Sequence, residues 1–125
     1  MSDGIQFGIS VDVTDAVRQL DKQAEDILER LGEGLHMLGE AAMTLSKAEF
    51  VPVVTGFLRS SGYVEDPVQE GDFITVNIGY RAPYSFDVHE RPPSVGQGKN
   101  KFLEKAVMEI AKDSEQRLKE FLAQN

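Results

Sequence analysis

Apolar and polar residues alternate near the start of the chain, where Ile5, Phe7, Ile9 and Val11 are interleaved with Gln6, Gly8, Ser10 and Asp12. A period of two is that of a strand with one face on a core, and it predicts a first strand here. At Thr14-Asp15 the pattern changes. A hydroxyl suited to cap free amides, followed by an acid suited to the positive end of a helix dipole, predicts a helix start. Leu20, Ala24, Ile27, Leu31, Leu35, Leu38, Ala42 and Leu45 then recur at steps of three or four, with no proline before Pro52. One long helix is expected over about 14–49, with acids on its outer face.

Such a helix would be about 54 Å long, against about 36 Å for a compact domain of this size. It must therefore bend or protrude. Gly32, Gly34 and Gly39 mark the expected place for a bend or a break, because each costs about 1 kcal/mol relative to alanine inside a helix, with close packing of a neighbouring element as the other explanation. A protruding end would leave an apolar stripe needing a partner, which is a hint of assembly.

Pro52 ends helical continuation, and Thr55-Gly56 marks a turn. Gly62–Asp66 is a candidate strand, Gln69–Asp72 a turn, and Phe73–Tyr80 a strand with Ile74, Val76, Ile78 and Tyr80 on one face, so a hairpin is the simplest connection. Ala82-Pro83 interrupts the sheet, and Tyr84–Glu90 is a short helix or an extended bridge. Arg91–Asn100, with Pro92-Pro93, Gly96 and Gly98, reads as a polar loop. Asn100 is then the expected N-cap of a terminal helix carrying Phe102, Leu103, Ala106, Val107, Ile110, Leu118, Phe121 and Leu122. The order implies an α+β fold, a small mainly antiparallel sheet packed against a long helix and a C-terminal helix.

The 125 residues suit one domain over 1–125, and a hydrophobic fraction of 41% can supply its core. With no cysteine there is no disulfide framework, thiol nucleophile or cysteine metal site. The formal charge of -8, from 13 basic and 21 acidic residues, disfavours general nucleic-acid binding, sequence-specific binding included. No apolar run reaches the roughly 20 residues that span a bilayer, and Met1–Gly4 lacks the start of a secretory signal, so a soluble protein without a membrane partner is expected.

Candidate chemistry is sparse. His36 and His89 have no second histidine at metal-ligand spacing, so no metal or other cofactor is expected. His89-Glu90 suggests general-base chemistry, but neighbours on a strand point apart, and a structural or interface histidine is the better reading. Ser60-Ser61 lacks any nucleophile motif and suits local backbone bonding. Gly96–Lys99 lacks the spacing of a phosphate-binding loop. The acids Asp21, Glu25, Asp26, Glu29 and Glu33 read as a solvated helix face interleaved with Lys22 and Arg30.

At Val53-Val54-Thr55-Gly56-Phe57-Leu58-Arg59-Ser60-Ser61 the chain resembles the T-G-x-L-R-x-S signature of small tailed-bacteriophage morphogenesis proteins, the tail-completion, neck, minor tail-component or minor capsid family. The order of further motifs is similar across nearly the whole chain. Val76-Asn77-Ile78-Gly79 matches V-x-V/I-G, Tyr80-Arg81-Ala82-Pro83-Tyr84 stands at a Y-A-x-Y-like segment, His89-Glu90-Arg91 stands at the acid-containing stretch, and Phe102–Ala106 matches F-L-x-x-A. Two positions depart from the pattern: Arg91-Pro92 stands where glycine follows the acid, and Lys101 stands where proline precedes Phe-Leu.

The resemblance implies a non-enzymatic virion component at the head-tail junction or the top of the tail, made in the host cytoplasm. It implies a ring of identical subunits contacting neck, connector or tail-tube proteins. A head-side minor capsid or stopper protein is the alternative within that class, and a small phage-encoded hydrolase or regulator the alternative outside it. Residues expected to dock partners are Arg59, Glu90, Arg91, Pro92, Pro93, Lys99 and Asn100. Leu58 is expected to be buried. Arg59 either forms a bidentate pair, with Glu90 or with an acid of another subunit, or is a solvated arginine on a turn.

Overall fold

The computed structural model describes residues 4–19, 22–50, 56–90 and 101–123. The alternating segment forms strand β1 (Ile5–Asp12), with Ile5 buried, Phe7, Ile9 and Val11 half-buried, and the intervening residues exposed. Its chain neighbour is helix α1 (Thr14–Gln19). Asp12, rather than Thr14, caps that helix: its Oδ1 accepts the Thr14 N–H at 2.9 Å and the Thr14 hydroxyl as well, and the first helical bond runs from Val17 N–H to Val13 O. These bonds hold the Asp12 carboxyl below its ordinary pKa.

Helix α2 (Lys22–Leu45) continues into a π-helical turn, Ser46–Phe50. Twenty-four residues make it about 36 Å long, the span of the domain. With its π turn, α2 covers most of the expected 14–49 helix, and it is helical through all three glycines rather than broken at them. Close packing accounts for two of them. A Cβ at Gly39 would lie 3.1 Å from Val76 and 3.2 Å from both Ile78 and Val64, and one at Gly34 would lie 2.9 Å from Leu118 and 3.1 Å from Phe121. Of the predicted stripe, Ala24, Leu35, Leu38 and Ala42 are buried, but Ile27 is 41% exposed. It sits about 60° round the helix from Ala24, and Leu28 on the other side packs on the core in its stead.

After Gly56 come the short helix α3 (Phe57–Ser60) and strands β2 (Gly62–Val64), β3 (Val68–Glu70) and β4 (Phe73–Tyr80). All pairing is antiparallel about β4. On one side β1 runs beside it from Ile5↔Tyr80 to Asp12↔Phe73. On the other, β2 and β3 share the remaining edge, opposite 78–80 and 73–75. The turn between β3 and β4 is Gly71-Asp72, tighter than the predicted four residues, with Gly71 at φ 60. Ile74, Val76, Ile78 and Tyr80 are buried as their spacing predicts, and face α2.

Helix α4 (Ser85–Glu90) precedes α5 (Phe102–Ala111) and α6 (Ser114–Ala123). The expected single terminal helix is therefore two. Its N-cap is Lys101, at φ 51, and not Asn100, which lies outside the described residues. The break follows Ala111, whose carbonyl accepts the Ser114 hydroxyl, while Asp113 accepts from Arg117 one turn on. Helix α5 buries Phe102, Leu103, Ala106 and Ile110, whereas Leu118 of α6 reaches the core only at its margin. The result is an α+β fold in which α2 covers the sheet, α5 packs on α2 with Phe102 against Tyr80, and α6 packs on α2 and α5.

Candidate functional site

The chain brings two of its motif segments together at the end of β4. Gly62 pairs with Tyr80, and the Arg81 N–H donates to Ser61 O at 3.0 Å, so α3 sits directly against Tyr80–Tyr84. The hydroxyls of Ser60 and Ser61 donate to Phe57 O and Leu58 O at 2.9 and 2.7 Å, the local bonding expected of them. Leu58 turns inward and is buried. Phe57 turns outward, 56% exposed, with its ring centroid 6.2 Å from that of Tyr84.

Tyr80 is the anchor beneath this surface. It is fully buried, its hydroxyl shares a 2.7 Å hydrogen bond with Ser46 Oγ, and burial pushes its pKa up to about 12 against the opposing effects of Ser46 and the Arg59 cation. Arg59 is half-buried, with Nε enclosed and without a hydrogen-bond partner. A buried donor left unsatisfied typically costs about 1–3 kcal/mol.

The expected Arg59–Glu90 pair is not formed. Glu90 is engaged elsewhere: Oε1 accepts from Lys101 Nζ at 2.6 Å and Oε2 contacts His89 Nδ1 at 2.8 Å. His89 and Glu90 lie on a helix, not on a strand, which is why adjacent side chains can meet. The His89 ring is fully buried, 5.8 Å from Phe7 and 4.9 Å from Phe102 between centroids. Its Nε2 accepts the Glu104 N–H at 3.2 Å, so Nδ1 carries the proton and donates it to Glu90. Both ring nitrogens are thus occupied, which leaves neither free to take a proton from a substrate. With the Lys101 N–H donating to His89 O, these bonds join the end of α4 to the start of α5.

Burial holds His89 below its ordinary pKa of 6.5, although Glu90 pulls the other way. The unfolded chain therefore binds the proton first, and the stability contributed by the neutral ring is present above about pH 6.5 and lost as pH falls. Glu90, held below 4.5 chiefly by the Lys101 ammonium, adds a further loss in the acid range. Urea midpoints should accordingly fall between about pH 7.5 and pH 5.5. An unchanged midpoint would contradict the buried neutral histidine.

Arg91, Pro92, Pro93, Lys99 and Asn100 lie outside the described residues. Of the predicted docking residues, the structure thus places Arg59 on α3 with its Nε enclosed, and Glu90 in a separate ionic cluster. Sequence reasoning missed the exposed aromatics: Tyr84, beside Phe57, is 39% exposed, and Phe86 is 51% exposed. Their signal was present, since Phe57 and Phe86 flank the buried Leu58 and Ser85 at turns, where one face of the chain must point out. Among the described residues no three potential metal ligands converge, and no helix is long and apolar enough to cross a membrane. Compared with protein-family models, curated proteins and solved structures, the chain gives no match.

Proposed function

We propose that this protein is a non-enzymatic structural component of a tailed-bacteriophage particle, one subunit of a homo-oligomeric ring at the head-tail junction or the top of the tail. Its partners are copies of itself and the adjoining neck, connector or tail-tube proteins. The observation that carries this reading is the outward-facing Phe57–Tyr84 pair, mounted on a base of buried side chains formed by Leu58, Tyr80 and Ser46. Large aromatics held in the open by a packed support are a surface made for another protein. The motif resemblance supplies the setting, and the fold supports it by joining the Thr55–Ser61 and Tyr80–Tyr84 motifs, as far as the former is described, into one surface.

Substitution of Arg59 tests the docking role. Arg59→Lys keeps the charge and loses the planar fork, so a normally folded protein with at least tenfold fewer complete particles is expected. Particle counts by negative-stain microscopy, with circular dichroism as the check on folding, provide the measurement. Full particle yield from Arg59→Ala would remove Arg59 from the interface, and normal virions assembled without this protein would overturn the function.

A further inference from the structure

Helix α5 takes its cap from a side chain of another helix. Its first internal bond runs from Lys105 N–H to Lys101 O at 2.8 Å, so the amides of Phe102, Leu103 and Glu104 depend on partners outside the helix. Lys101, at φ 51 and ψ 42, offers none from its own side chain. The acceptor at the third of these amides, where a serine or aspartate cap ordinarily bonds, is His89 Nε2, 3.2 Å from the Glu104 nitrogen. The end of α4 also holds Lys101 itself, through His89 O and Glu90 Oε1. A left-handed backbone is unfavourable at lysine, and these bonds keep it there.

An imidazole differs from a serine or aspartate cap in one respect: near neutral pH a proton can abolish it as an acceptor. With Nε2 protonated, one N–H would point at another across 3.2 Å, and a positive charge would stand at the positive end of the α5 dipole. The charged groups facing the ring are Glu90 on α4 and Lys101 and Glu104 at the start of α5, while β1 meets it through Phe7. The two carboxylates favour a cation and the ammonium opposes it. Glu90 already takes the Nδ1 proton and cannot also accept at Nε2, and enclosure between Phe7 and Phe102 withholds water from a new charge. Phe102 and Leu103 are fully buried and anchor α5 in the core, so the part able to yield is the end of α4.

We propose that the junction of α4 and α5 is a proton-operated catch: a proton taken up at His89 Nε2 uncaps α5 and releases His89 and Glu90 from it, while the sheet and α2 keep their structure. The closed state has a neutral imidazole as cap. The open state has an imidazolium in water, a free Glu104 amide, and a Lys101 backbone able to leave the left-handed region. Mild acid thus loosens the hold between the two helices before the fold is lost, and the device is independent of the phage-particle reading.

Amide hydrogen exchange read by NMR, corrected for its intrinsic pH dependence, tests the catch through the two amides it holds, those of Lys101 and Glu104. A junction that opens on taking up one proton loosens about tenfold per pH unit below about pH 6.5, where the released imidazole is protonated. Protection of both amides should therefore fall about tenfold between about pH 7.5 and pH 5.5. It should stay at least tenfold below that of Ile78 in mid β4, and should respond little to about 1 M urea, because a small opening exposes little surface. His89→Gln keeps an acceptor that cannot be protonated and should abolish the fall with pH, whereas His36→Gln should leave it unchanged.

Equal protection and equal urea dependence at Glu104 and Ile78 would mean that the junction opens with the whole fold, and would overturn the catch. So would a Glu104 amide equally protected at both pH values, or a fall that persists in folded His89→Gln. Should that variant not fold, the unaltered protein and His36→Gln still decide, since His36 and His89 are the two histidines of the chain.

Discussion

Truncating Phe102 to alanine should destabilise the fold by about 3–5 kcal/mol, lowering Tm by roughly 12–20 °C for a chain of this size. The ring is fully buried and sits edge-on to Tyr80, 5.1 Å between centroids at 83°, and edge-on to His89 at 4.9 Å and 73°. Its removal opens a cavity where β4, α4 and α5 meet, and the edge-to-face contacts are lost with it. Phe102→Leu retains most of the volume and should cost less than half as much. Thermal denaturation followed by circular dichroism measures both, and an alanine variant melting within about 4 °C of the original protein would show that α5 does not depend on this ring.

Gly79→Ala should damage the sheet itself. A Cβ at this position would lie 2.3 Å from the Ile5 carbonyl oxygen and 2.6 Å from the Tyr63 hydroxyl. The tyrosine can swing aside, but the carbonyl belongs to β1 and moves only if β1 separates from β4. A destabilisation of about 1–3 kcal/mol or more is expected, with loss of amide protection concentrated at Ile5–Gly8. Gly8→Ala is the matched control: its nearest obstacle is the Asn77 side-chain oxygen at 3.1 Å, which can rotate away. Hydrogen exchange that leaves β1 equally protected in both variants would refute the backbone clash.

Strand β1 and the buried row of β4 were legible because a half-buried strand writes its period directly into residue type. Ile74, Val76, Ile78 and Tyr80 alternate with Thr75, Asn77 and Gly79 whatever covers them. The split between α5 and α6 was less legible, because Ile110 and Leu118 keep helical spacing across the break and only Asp113-Ser114 marks it. Glycines on α2 admitted two readings in sequence, since the cost of a glycine is local while the reason for it lies on β4 and α6. Glu90 shows the remaining difficulty most clearly. Its expected partner Arg59 is 31 positions earlier in the chain, its actual partners are His89 beside it and Lys101 eleven positions later, and spacing alone does not rank such choices.

The glycines of α2 also bear on the order in which the molecule is built. Together they cost the helix about 3 kcal/mol relative to alanine, so the segment 22–45 in isolation would be a poor helix. What restores it is contact with Pro67 and with side chains from β2, β4 and α6, and β4 is itself completed by β1, whose Ile5 pairs with Tyr80 across most of the chain. Neither layer is a stable first product onto which the other can condense. Folding by this route requires helix and sheet to form in one cooperative step, at the slower pace of a chain whose decisive contacts are far apart in sequence.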